Sequence, residues 1–141
     1  MRIVLDTACL VTAVRSSAGA AGAVVQMVFR EEVVLLMDLK IGLEYRDVAL
    51  RPEHLMASAL SEREVLELIE ALEAFAEPVE VISKTRPLSP DPNDDMVLDL
   101  AMNGRAEAVV TYNTKHFMAV GEQVGISILT PAQFLEEMSK R

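Results

Sequence analysis

The stretch Arg2-Ile3-Val4-Leu5-Asp6-Thr7-Ala8 decides the fold that this sequence predicts. Its residues Ile3, Val4 and Leu5 form a short apolar run without polar alternation, which is typical of a strand buried on both faces of a sheet. Asp6 ends the run, and in open α/β sheets ligand sites lie outside the carboxyl ends of the strands. Asp6 is therefore the first candidate for chemistry, although on position alone it could simply cap a following helix through Thr7 and Ala8.

The composition predicts one folded domain over residues 1–141. Hydrophobic residues make up 51% of the chain, which is enough for a full core. No apolar run is long enough to span a membrane, and Asp6 interrupts the stretch that could have formed a signal peptide. Cys9 is the only cysteine, so we expect a cytoplasmic protein with a small buried thiol. The net charge of −9 means that action on nucleic acid would need metal ions or a local basic patch.

The apolar pattern alternates along the chain between the period of strands and the period of helices. Strands are predicted at residues 2–5, 33–37, 79–82, 108–111 and 127–129, with loops at 13–22 and 83–92. One helix is predicted to end near Arg30, and a second to follow Asp38 with Leu39, Leu43, Val48 and Leu50 facing inward. Further helices are predicted to begin at Ser61, Asn93 and Thr130, and a short helix to lie near 115–120. This alternation predicts an α/β domain with a mainly parallel sheet.

Acidic and amide residues fall where these predicted elements meet, at Asp6, Glu44, Asp94, Asp95 and Asn113. Because the carboxyl ends of parallel strands share one edge, these side chains can converge although they are distant in sequence. Clustered carboxylates repel one another unless cations bind, and hard oxygen ligands suit Mg²⁺ or Mn²⁺. A pair of such ions can activate water and stabilise the leaving oxygen of a phosphodiester. Taken singly, Asp94 and Asp95 could serve only the helix dipole, and Glu44 could be a solvated helix residue.

Five stretches, in this order, resemble the PIN-domain family, whose members occur as toxins of prokaryotic toxin–antitoxin pairs. They are residues 3–7 (IVLDT), 43–48 (LEYRDV) with 50–52 (LRP), 91–98 (DPNDDMVL), 109–117 (VVTYNTKHF) and 128–135 (ILTPAQFL). The resemblance implies a three-layer α/β/α domain around a central, mainly parallel sheet of four to five strands. It also implies a metal-dependent endoribonuclease that uses Mg²⁺ or Mn²⁺, a cognate antitoxin protein as partner, and a homodimer.

Carried over residue by residue, the resemblance implies that Asp6 is the first metal ligand and Glu44 the second acid. The third acid is Asp94 or its neighbour Asp95, and Asp94 is favoured because the family's small residue seven positions later matches Ala101.

The sequence departs from the family pattern at three positions. Ala8 stands where the family usually has an asparagine that helps to orient the site, and His116 stands where an aspartate is common. The fourth acidic position falls at Asn113, which keeps an oxygen ligand but drops a charge. These departures leave open a PIN-fold binding module with weakened catalysis, acting through RNA or antitoxin contact. An ordinary α/β domain, whose acids are caps and surface charges, is the third hypothesis.

Overall fold

The computed structural model describes residues 1–82 and 92–141. Within these ranges, five strands form one sheet in the order β3-β2-β1-β4-β5, and every strand pair is parallel. The strands are β1 (Arg2–Leu5), β2 (Val34–Met37), β3 (Glu77–Pro78), β4 (Ala108–Val110) and β5 (Ser127–Leu129). The prediction of a parallel sheet is confirmed.

Helices pack against one another and against this sheet. They are α1 (Thr7–Arg15), α2 (Ala20–Phe29), α3 (Leu39–Ala49), α4 (Pro52–Ala57), α5 (Glu62–Phe75), α6 (Pro92–Asn103), α7 (Thr114–Val124) and α8 (Pro131–Ser139). Helix α1 contacts α2 and α3, and α2 contacts α5 and α8, whereas α6 contacts α7 and lies against β1, β2 and β4. The result is the three-layer α/β/α architecture that the family resemblance implied.

Strand β1 lies at the centre of the sheet. It pairs with β2 on one side, where Ile3 lies opposite Leu35, and with β4 on the other, where Leu5 lies opposite Val110. Ile3, Val4 and Leu5 are all fully buried, which explains why β1 shows no polar alternation. The carboxyl ends of β1, β2 and β4 therefore share one edge of the sheet.

The loop predicted at residues 13–22 is wrong for most of its length. Helix α1 continues to Arg15, and α2 begins at Ala20 after a short turn. A Cβ at Gly22 would lie 2.2 Å from the carbonyl oxygen of Ser17, so the turn can approach α2 this closely only because residue 22 is glycine. The small residues that resembled a loop instead allow the helix α1–turn–α2 unit to pack tightly.

The predicted inward face of α3 is wrong at Leu39 and Leu43. Leu39 is 78% exposed and Leu43 is 55% exposed, whereas Val48 and Leu50 are partly buried. Apolar residues occur on two faces of this helix, so periodicity alone cannot choose between them. The sheet selects the other face, whose buried side chains are Ile41, Tyr45 and Ala49.

The third strand begins earlier than predicted and is shorter. Its residues Glu77 and Pro78 pair with Leu36 and Met37, and the N–H of Val79 donates to the Met37 carbonyl over 2.8 Å. The predicted strand at 79–82 is wrong because the chain reaches β2 immediately after α5 ends. Proline, which lacks an N–H, is tolerated at such a sheet edge. Most of the predicted loop at 83–92 lies outside the described residues.

No single helix in residues 1–82 and 92–141 is long and apolar enough to cross a membrane. Helices α1 and α2 pass the length and composition test only as a pair, which is bent by 97°.

Candidate active site

Asp6 lies at the end of β1 and is half-buried. Its N–H donates to the Val110 carbonyl over 2.9 Å, which extends the contact between β1 and β4. Its Oδ1 accepts the N–H of Thr7 at 2.9 Å, so Asp6 does cap α1. Its Oδ2 accepts the Thr111 hydroxyl at 2.7 Å. Asp6 can therefore cap α1 and also belong to a site, because its bonds to Thr7 and Thr111 both hold the carboxylate at the carboxyl edge of the sheet.

Thr111 organises the end of β4 and is fully buried. Its hydroxyl oxygen donates to Asp6 and also accepts the N–H of Asn113 at 3.0 Å. Asn113 is exposed and makes no side-chain capping bond to α7. The turn after β4 therefore brings the backbone of Asn113 next to the residue that holds Asp6.

Asp94 occupies the first turn of α6 and is only 6% exposed. Val97, Leu98 and Ala101 are buried as well, so Asp94 shares their face of the helix, as its spacing predicted. Asp95 is half-buried. The Oδ2 atom of Asp94 lies 3.1 Å from Nδ1 of His116, whose side chain is 55% exposed.

The segment from Thr111 to His116 thus contacts two of the predicted acids, Asp6 at one end and Asp94 at the other. These acids are 88 positions apart in sequence. The structure brings them to a common segment because β4 lies beside β1 and α7 contacts α6.

Glu44 is half-buried on α3 and forms no hydrogen bond or ion pair with any residue in the two described ranges. Its neighbour Tyr45 is fully buried, and the Tyr45 hydroxyl donates to the Leu5 carbonyl over 2.5 Å. Because Leu5 directly precedes Asp6, the position of Glu44 along α3 is tied to the end of β1 through this bond.

Asp38 was not among the predicted site residues, although it follows β2 at the same sheet edge. Its Oδ1 accepts the N–H of Ile41 at 2.9 Å and caps α3. Asp38 ends β2 as Asp6 ends β1, so the same rule for strand ends could have identified Asp38.

Burial raises the pKa of Tyr45 well above its usual value, and the nearby charges of Asp6, Cys9 and Asp38 raise it further.

Cys9 is fully buried, as expected. Burial, followed by the charge of Asp6, raises the pKa of its thiol from 9.0 to about 12. At neutral pH the thiol is protonated and therefore a poor nucleophile.

The donor set fits a hard divalent cation in its chemistry, because carboxylate and amide oxygens are the preferred ligands of Mg²⁺ and Mn²⁺. In the described part of the chain, however, no three acidic, histidine or cysteine side chains form a group that could hold a metal ion as they stand. Ion binding at this edge would therefore require the side chains to move closer together.

A family model described as the PIN domain matches residues 2–115. The chain belongs to the PIN-domain family. PIN domains are generally nucleases. The matched range includes all five predicted site positions and ends one residue before His116.

This PIN domain is similar in fold to VapBC2 from Rickettsia felis, which was crystallised with a DNA fragment from its promoter. The TM-score is 0.61 at 12% sequence identity, and the match covers 92% of this chain and 98% of the other. At this identity the likeness shows the fold alone. No curated protein matches the chain at a significant level of sequence similarity.

Proposed function

We propose that this PIN domain is a metal-dependent endoribonuclease and the toxin of a toxin–antitoxin pair. The observation that carries the proposal is the contact of one segment, Thr111 to His116, with both Asp6 and Asp94. Structural capping alone would not require two carboxylates from distant elements to meet the same turn. Membership of a family of nucleases supports hydrolysis as the chemistry.

In this proposal, Asp6, Glu44 and Asp94 hold Mg²⁺ or Mn²⁺, with Asp95 and Asn113 in support. The ion, when bound, supplies water activation and charge stabilisation at the scissile phosphodiester. The protein contributes orientation. The Thr7 N–H and the Thr111 hydroxyl fix the two oxygens of Asp6, and burial keeps Asp94 on the sheet-facing side of α6.

Two exposed side chains near this edge support RNA as the substrate. Tyr112 directly follows Thr111 and is 45% exposed, so its ring is available to stack on a base. Lys115, one residue before His116, is exposed on α7 and can approach a phosphate. The net charge of −9 makes such local contacts more important than general attraction. The proposed place of action is the cytoplasm.

We also propose a cognate antitoxin as the partner, and its docking surface is a groove beside α3. The groove has a volume of about 580 Å³ and is lined by Leu39 and Leu43 on one side and Ala76, Pro78 and Val79 on the other. The exposed leucines would otherwise cost free energy in water. The fold likeness to VapBC2 supports this choice of partner.

An ion pair lies at one side of this groove. Nη2 of Arg46 donates to Oε2 of Glu73 over 2.9 Å, and the second nitrogen of the fork also contacts the carboxylate. The pair joins α3 to α5, so the groove is bounded by fixed helices. An apolar antitoxin segment with a polar group for this pair fits such a surface. The family resemblance further implies a homodimer, which sedimentation equilibrium would test.

The proposed activity is tested by incubating purified protein with structured and unstructured RNA in Mn²⁺ or Mg²⁺, against EDTA and against Asp6→Asn. We expect cleavage that requires both the metal and Asp6. The melting temperature, measured with and without metal, gives an independent readout of ion binding.

A binding module with weakened catalysis is the second candidate, and Ala8 and Asn113 favour it. Alanine cannot donate the hydrogen bond that the family's asparagine supplies, and Asn113 lacks the fourth charge. Absence of cleavage together with no metal-induced rise in melting temperature would support this module and contradict the nuclease. Cleavage that needs Asp6 would exclude the module.

A further inference from the structure

We infer that His116 is a positioning residue for Asp94, and that it sets the affinity of the site for its divalent cation. The inference rests on the proposed function. It is carried by the 3.1 Å contact between Nδ1 of His116 and Oδ2 of Asp94.

Asp94 needs polar partners because its carboxylate is nearly buried. Its side chain is 8% exposed and shares its helix face with the buried Val97 and Leu98. A buried carboxylate is costly unless hydrogen bonds satisfy its oxygens. Because a carboxylate oxygen only accepts, Nδ1–H of His116 is the donor to Oδ2 of Asp94. The contact therefore restricts the rotation of the Asp94 carboxylate about its Cβ–Cγ bond.

The backbone of His116 is itself held by the turn that follows β4. Its N–H donates to the Asn113 carbonyl over 3.0 Å, and the Asn113 N–H donates to the Thr111 hydroxyl over 3.0 Å. Thr111 in turn donates to Asp6. A short chain of hydrogen bonds thus connects His116 to the other acid, and α7 carries the imidazole to α6.

A carboxylate held in one rotation loses less conformational entropy when it coordinates an ion. Hydrogen-bond partners of metal ligands are typically worth 10–100-fold in metal affinity. His116 is 55% exposed, so its removal leaves the core intact. We therefore expect its effect on metal affinity to exceed its effect on folding.

The test measures Mn²⁺ affinity by titration calorimetry at constant pH for the full chain and for three variants. An asparagine at position 116 places its amide nitrogen near the position of the histidine Nδ1, whereas a glutamine there places it near that of Nε2. His116→Ala should lower Mn²⁺ affinity by about 10–100-fold. His116→Asn should restore most of that loss, and His116→Gln should restore little of it.

His54→Ala is the control, because it removes the other histidine, which lies on α4, and should leave Mn²⁺ affinity unchanged. In cleavage assays, saturating Mn²⁺ should return the kcat of His116→Ala to near that of the unaltered protein. In EDTA, His116→Ala should lower the melting temperature by no more than the loss of one hydrogen bond to Asp94 explains, and His116→Asn should melt close to the unaltered protein.

Equal Mn²⁺ affinity for the unaltered protein and His116→Ala would overturn the inference, as would rescue by Gln and not by Asn. A loss of kcat in His116→Ala that saturating Mn²⁺ does not restore would also overturn it. If the unaltered protein binds no Mn²⁺, the proposed function itself fails, and that outcome is separate from the others.

Discussion

The hydroxyl of Thr111 donates to Oδ2 of Asp6 over 2.7 Å and joins the end of β4 to the end of β1. The same hydroxyl oxygen accepts the N–H of Asn113. Because Thr111 is fully buried, its hydroxyl makes both bonds within the protein. One side chain thus holds a candidate metal ligand and shapes the turn that leads to His116.

Replacing Thr111 with valine should destabilise the protein and reduce cleavage. Valine has nearly the same shape, but it takes away the Thr111 acceptor of the Asn113 N–H and the Thr111 donor to Asp6. Such losses cost about 1–3 kcal/mol in the free energy of unfolding, which urea denaturation measures. Thr111→Ser keeps the hydroxyl and should preserve more of the activity. Equal stability and equal cleavage for the valine variant would contradict this role.

Asp94 and Asp95 should differ in their importance to catalysis. Asp94 is buried and contacts His116, whereas Asp95 is half-buried. We expect Asp94→Asn to reduce metal-dependent cleavage by more than about 100-fold, because loss of a direct ligand should exceed loss of a supporting partner. Asp95→Asn should reduce it by less. The comparison uses initial rates at several Mn²⁺ concentrations, and the reverse order would show that Asp95 is the third acid.

The buried thiol of Cys9 should make stability fall in alkaline solution. Its pKa is raised from 9.0 to about 12 in the folded protein, mainly by burial. The unfolded chain therefore loses this proton first as pH rises, so the contribution is fully present below pH 9.0 and is lost towards about pH 12. The slope from one such group is at most about 1.4 kcal/mol per pH unit.

Urea unfolding at pH 8, 9 and 10 checks this prediction against Cys9→Ala. The variant should be less stable at pH 8 but should show a shallower decline above pH 9. Parallel declines in the two proteins would mean that the thiol is not protected in the folded state. The pKa of Tyr45 is also raised, mainly by burial and only in a smaller part by Cys9, so most of the Tyr45 contribution cancels between the two proteins.

The groove beside α3 predicts which surface substitution prevents antitoxin binding. Leu43→Asp should abolish co-purification with the protein of an adjacent antitoxin gene, because it places a charge in the apolar contact. Leu43 is 55% exposed, so the melting temperature should change little. Met56→Asp, at a position that is 87% exposed on α4, is the control and should retain the partner. Unchanged co-purification for Leu43→Asp would exclude this groove.

Tyr112 provides a direct optical test of RNA contact, because the chain contains no tryptophan. Tyr112→Trp introduces a single tryptophan beside the site, which can be excited selectively, and a stacked base should quench its emission. Binding is measured with short RNA in EDTA, where cleavage does not interfere. Phe75→Trp is the matched control, since Phe75 is 46% exposed and Tyr112 is 45% exposed. Equal quenching at both positions would argue against base contact by Tyr112.

The central strand and the α/β alternation could be predicted from the sequence because they depend on local periodicity and on strand ends. The face of α3 and the start of β3 could not. Leu39 and Leu43 fit a helical stripe as well as Ile41 and Tyr45 do. The two faces are distinguished by tertiary contacts, in which Ile41 and Tyr45 are fully buried and the Tyr45 hydroxyl donates to the Leu5 carbonyl. The helix α1–turn–α2 unit was missed because small residues occur both in loops and in close helix contacts.

By itself, the sequence determined the parallel sheet around β1, the helix starts at Ser61 and Thr130, and the position of Asp6 at the end of the central strand. Those features follow from hydrophobic period and capping chemistry, which act over a few residues. Tertiary structure alone decided that Thr111 would hold Asp6 and that His116 would reach Asp94. Such contacts join residues distant in sequence, and they exist only once packing has fixed β4 beside β1 and α7 against α6.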